Sequence, residues 1–184
     1  MRLLPTGNGY YSGDESLLER PQLALQIAIA INSWNRFESD AAFLYGDMMT
    51  HRYGPPAPNG GTRGAHPVAL QVFETLDAFR PKLDLLRGLL EYTRPDLLDH
   101  WNTITRKKIE SAQRFRNKLA HSIWGHCADF PEELLRVPTF GHPELWCAED
   151  FAIEIRKIRV ASFETTQLKL MVTGKPRMPD ELSP

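Results

Sequence analysis

Little in this chain points to a membrane, a metal or a redox centre. No stretch approaches the ~20 consecutive apolar residues that a bilayer-spanning helix needs. The opening Met-Arg-Leu-Leu-Pro-Thr-Gly-Asn-Gly has no apolar run of signal-peptide length, so a cytoplasmic location is expected. Only two cysteines occur, Cys127 and Cys147, and they form neither a CxxC nor a zinc-type Cys/His spacing. They read as reduced thiols. His126 adjoins Cys127, but no second pair has a suitable spacing, so no metal is expected. Gly60-Gly61-Thr62-Arg63-Gly64 lacks the Lys-Ser/Thr that completes a phosphate-binding loop, and no serine nucleophile elbow is present. No cofactor is expected. Net charge is only −1, so any attraction for a polyanion must come from a local patch.

What is present is ordinary globular material. The 184 residues, 42% of them hydrophobic, are enough for one domain with a proper core and too few to expect two. Residues 1–16, rich in Gly, Tyr and Ser, read as an extended arm, 17–174 as a single domain and 175–184 as a flexible tail. A first helix is expected over 22–49, opened by Pro21, with Ile27, Ile31, Trp34, Ala41 and Tyr45 on one stripe. Residues 54–64 are a loop by composition. A second helix over 67–92 should be kinked or divided by Pro81, and a third should run from Pro95 to about Trp124, stopped by Gly125. Residues 129–147 carry two short apolar runs around Pro138, Gly141 and Pro143 and read as a small β-hairpin or loop excursion. Phe151, Ile153 and Ile155 fit strand alternation, but the length of 150–172 favours a helix. The expected fold class is all-α, a four-helix bundle with a small β-hairpin or loop insertion between the third and fourth helices.

Two charges interrupt the expected apolar stripes. Arg116 falls about 40° from Ala112 on the third helix at ~100° per residue, and Glu38 lies between Trp34 and Tyr45 on the first. A lone buried charge costs several kcal/mol, so a structural ion pair between Glu38 and Arg116 is expected. The alternative is that both side chains reach water at the edge of the bundle.

Arg116-Asn117-Lys118-Leu119-Ala120-His121 joins a permanent cation, an amide and an imidazole, the side chain that titrates near neutral pH. Those are the parts needed to cut RNA without a metal. On a straight helix Arg116 and His121 lie roughly 140° apart, so a distorted helix end, a rim position for Arg116 or a second chain is needed to unite them. Six basic residues (Arg106, Lys107, Lys108, Arg114, Arg116, Lys118) against Glu110 would draw a phosphate backbone towards this helix. Arg114, Lys118 and Lys107 are the candidate substrate-binding cations. A basic run is as often a plain solvated face, and a helix-end histidine a plain cap.

The Arg-x4-His pattern with Asn117 directly after the arginine resembles the signature of the HEPN superfamily (higher eukaryotes and prokaryotes nucleotide-binding domains). Trp34-Asn35-Arg36-Phe37-Glu38 and Ser122-Ile123-Trp124-Gly125 also look like a group of uncharacterised bacterial HEPN-like proteins. The resemblance spans 22–172 in element order, while only the short motif is specific. It implies an all-helical bundle that forms a homodimer, with RNA as substrate and an antitoxin or regulatory protein as partner. Many members are metal-independent endoribonucleases of the toxin or phage-defence type. Others are catalytically silent interaction modules, which is the alternative here. By position, Arg116, Asn117 and His121 would be the catalytic residues.

Overall fold

The computed structural model describes residues 1–53 and 66–179. The expected loop over 54–64 and the last five residues of the tail lie outside the described residues. The chain is mostly helical and carries a five-stranded antiparallel sheet, more β structure than the single hairpin expected. Its contacts divide into two compact units, Met1–Trp34 with Ser111–Ile158, and Asn35–Glu110 with Arg159–Pro184.

The first unit is built on strands β1 (Arg2–Leu3), β2 (Tyr11–Ser12), β3 (Ser122–His126), β4 (Leu134–Pro138) and β5 (Glu144–Trp146), in the order β1-β5-β4-β3-β2. The expected extended arm thus supplies both edge strands, and between them stand β3 and the β4–β5 hairpin. Helix α1 (Glu15–Glu19) follows β2, and α2 (Pro21–Tyr53), α6 (Arg106–Ala120) and α7 (Ala148–Val172) contribute residues to this unit. Its core is aromatic. The Trp146 ring stacks on Phe115 at 5.8 Å, lies 5.2 Å from Phe151 and meets Trp124 edge-on at 6.2 Å. Leu134, Leu135 and Leu145 are fully buried beside them.

The third helix ends four residues before Trp124, because Ser122–His126 pairs with β4 instead of continuing the helix. The Ser122 hydroxyl donates to the Lys118 carbonyl, satisfying one of the acceptors left open at a helix end, and accepts from Arg136 Nε at 2.8 Å. Gly125 is therefore no helix stop. It sits inside β3, where a Cβ would lie 2.3 Å from the Tyr11 carbonyl oxygen. Gly125→Ala is expected to prise β2 from β3 at a cost of about 1–3 kcal/mol, seen as a lower thermal midpoint. An unchanged midpoint would mean that β2 is not held at this distance.

In the second unit, Phe37, Ala41, Leu44 and Met48 of α2 are buried, and Phe37 meets Phe79 at 5.5 Å while Tyr45 meets Phe73 at 5.6 Å. Ile31, expected on the buried stripe of α2, is 48% exposed. The segment expected as one kinked helix is two, α3 (Pro67–Glu74) and α4 (Phe79–Thr93). The break precedes Pro81, which occupies the first turn of α4, where its missing N–H removes no helical bond. Phe79, Leu83, Leu86 and Leu90 are the buried positions of α4. Next come a 3₁₀ turn (Pro95–Leu97), a short α5 (Leu98–His100) and a π turn (Trp101–Thr105) leading into α6. Burial lowers the pKa of His100 below the ordinary imidazole value, helped by the positive charge of Arg177 and opposed by Glu164 and Asp99. α7 covers the expected fourth helix and closes at Gly174, whose φ of 68° suits glycine. The tail returns to this helix, since Gln167 donates to the Met178 carbonyl at 2.8 Å and accepts its N–H at 2.9 Å. No helix among the described residues is long and apolar enough to cross a membrane.

Candidate functional site

Arg114, Asn117, Lys118 and His121 stand at i, i+3, i+4 and i+7 of one helix, so they form a single stripe over its last two turns. His121 lies just past α6 yet keeps helical geometry, its N–H donating to the Asn117 carbonyl at 3.1 Å. The opposite side is the buried one, with Ala112, Phe115 and Leu119. Arg114, Asn117 and His121 are exposed, and Lys118 is half-buried.

Arg116 is off this stripe but reaches it. Its Nη1 donates to Asn117 Oδ1 at 3.4 Å, a long bond that turns the guanidinium towards the stripe. Asn117 thus contacts Arg116 and precedes His121 by one helical turn. Among the described residues no hydrogen bond, ion pair or ring contact joins the His121 ring itself to Arg116 or Asn117. The sequence pattern alone leaves the cation and the imidazole on different sides, and the structure leaves both exposed.

Glu38 and Arg116 do not need each other. The buried arc of α6 turns along its length, from Ile109 and Ala112 to Phe115 and Leu119, so Arg116 clears the core and is exposed. Glu38 is half-buried and pairs with Lys82, whose Nζ is 3.3 Å away and lies over the Phe73 ring at 5.5 Å. Of the other basic residues, Arg106 is taken up by Glu110 at 2.8 Å. Lys107 is exposed in the second unit, on the first turn of α6.

Beside the stripe, the sheet supplies a polar network that the sequence pattern did not single out. Arg136 and Glu144 are cross-strand partners on β4 and β5, with Arg136 Nη1 2.9 Å from Glu144 Oε2. The same carboxylate oxygen accepts from Trp146 Nε1 at 3.2 Å and lies 3.9 Å from Lys118 Nζ. Lys118 also sits 5.7 Å above the Trp146 ring, so this cation is directed to the sheet. Through Ser122, Arg136 holds the end of α6 as well. The available signal was the register of a hairpin centred near residue 140, which places residues 136 and 144 opposite each other.

Of the other histidines, His66 accepts the Ala69 N–H and caps α3, and His142 is exposed. His51 belongs to the last turn of α2. Cys127 is buried and Cys147 half-buried, and both thiols are free. Among the described residues no three His, Cys, Asp or Glu side chains are placed to hold a metal ion. The chemistry available at the stripe is therefore that of an imidazole, an amide and guanidinium groups open to solvent. No protein-family model, curated protein or solved structure matches this chain.

Proposed function

We propose that this chain is a metal-independent endoribonuclease of the toxin or phage-defence type, with a HEPN-like helical arrangement, acting in the cytoplasm as a homodimer. The observation that carries the reading is the contact of Arg116 with Asn117, one helical turn from an exposed His121 and beside an exposed Arg114. That collects phosphate-binding and proton-transferring groups on one accessible helix end.

In the proposed reaction the ribose 2′-oxygen forms a bond to the adjacent phosphorus as its proton passes to the His121 imidazole. The bond from phosphorus to the 5′-oxygen breaks, and that oxygen takes up a proton, supplied by the second His121 of the dimer. The products are a 2′,3′-cyclic phosphate and a 5′-hydroxyl end. Arg116 opposes the negative charge that builds on the phosphate oxygens, as a planar two-pronged donor. Asn117 positions Arg116 through its carbonyl oxygen and leaves its NH2 group to donate to RNA or to the imidazole. Arg114 draws in the neighbouring phosphates.

The test is cleavage of single-stranded RNA in the presence of a chelator, with a 2′-deoxy oligonucleotide of the same sequence as control. Cutting of the RNA alone is the expected result. Cutting of the deoxy strand would remove the 2′-hydroxyl from the mechanism. Arg116→Lys keeps the charge but loses the fork and the reach to Asn117, so cleavage is expected to fall by about 10- to 100-fold. A rate equal to wild type would show that Arg116 acts only as a point charge, or not at all.

A further inference from the structure

The first unit holds a cleft of about 510 Å³, lined by Tyr11, Gly13, Asp14, Glu15, Ser16 and His126. Its wall is fixed by features outside the RNA-cutting site. Gly125 admits the Tyr11 backbone at a distance no other residue allows. The Tyr11 ring, 71% exposed, lies flat on the His126 ring, with centroids 5.4 Å apart and planes 22° from parallel. Ser16, beside His126, is only 2% exposed.

Polar contacts hold this wall together. The Ser16 hydroxyl lies 3.5 Å from the Tyr11 carbonyl oxygen. Its oxygen is also 3.0 Å from His126 Nδ1, a contact that holds the imidazole against the wall of the cleft. The cleft offers the carboxylates of Asp14 and Glu15 and an open aromatic face. All of these favour a positively charged donor. A metal ion is not the fit, because these side chains do not converge on one point among the described residues. An organic cation is long enough to touch the ring face and the carboxylates together.

We propose that this cleft is a binding site for an organic cation of the ammonium or guanidinium class, separate from the α6 stripe and independent of whether that stripe cuts RNA. The source is either a basic side chain of a peptide or a free polyamine. Both would lay their charge over Tyr11 and direct N–H groups at Asp14 and Glu15.

The experiment is an NMR titration of the full chain with three probes: N-acetyl-arginine amide, its uncharged citrulline counterpart and spermidine. Shifts at Tyr11 and His126 are expected with at least one cation below about 10 mM, with citrulline about tenfold weaker or worse. A response to arginine amide alone marks a peptide side chain as the source, and a response to spermidine alone marks a polyamine. Asp14 and Glu15 are exposed, so Asp14→Asn with Glu15→Gln should leave the thermal midpoint unchanged while weakening binding about tenfold. Tyr11→Ala should weaken it as well, and Tyr11→Phe should not. Equal binding of arginine amide and citrulline, undiminished binding by the double variant, or no shift with either cation would each overturn the proposal.

Discussion

His121→Ala is expected to reduce metal-free RNA cleavage by about 10²- to 10⁴-fold, the range that a positioned proton-transfer group contributes. The fold should not notice. The side chain is exposed, and the one bond that ties this residue to α6 is made by its backbone N–H to Asn117, which alanine retains. Stability should stay within about 0.5 kcal/mol of wild type, as for surface changes away from caps and cores. These two readouts separate the catalytic role from the plainer one. A histidine that only favours the negative end of the helix dipole would lower stability slightly and leave cleavage alone. Parallel loss of both would point to a damaged fold. Toxicity on expression in bacteria, relieved by the same substitution, should follow the cleavage rate.

Trp146→Ala should have the largest effect on stability, about 3–5 kcal/mol. The side chain is 1% exposed and touches Phe115 of α6, Phe151 of α7 and Trp124 of β3. Removing it opens a void where a helix, a second helix and a strand meet, and relaxation of any one disturbs the others. It also frees the Glu144 carboxylate from the indole N–H and takes away the ring beneath Lys118. Trp146→Phe should cost less, because the ring contacts persist and only the donor is lost. Urea unfolding measures both. A change below about 1 kcal/mol for Trp146→Ala would show that this cluster is not the core of its unit.

The helices were legible where apolar spacing is long and regular. Phe79, Leu83, Leu86 and Leu90 mark α4, and the length of 150–172 separates α7 from a strand despite Phe151, Ile153 and Ile155. The hairpin was legible too, from the turn residues between 134–138 and 144–146. The end of the third helix was not. Ile123 continues the helical spacing of Phe115 and Leu119, yet it is 60% exposed and lies in β3 opposite Val137. Pairing with a strand fourteen or so residues away decides that segment, and no local propensity contains it. The arm illustrates the same point, because Arg2 and Leu3 become strand only by meeting Leu145 and Glu144. For the charges, the sequence placed Arg116 in the stripe by a fixed 100° step, whereas the buried arc of α6 rotates towards Phe115 and Leu119. The partner of Glu38, Lys82, comes from another helix and carries no signal in spacing. The hexapeptide itself was legible as a string of residue types, but the role of Asn117 as the contact for Arg116 needed coordinates.

The most direct test is to treat one defined RNA with wild type and with the His121→Ala variant under chelating conditions, and to weigh the product ends by mass spectrometry. Wild type is predicted to leave 2′,3′-cyclic phosphates paired with 5′-hydroxyls, and the variant to leave the RNA whole. Identical fragments from both proteins, or 5′-phosphate ends, would contradict the account.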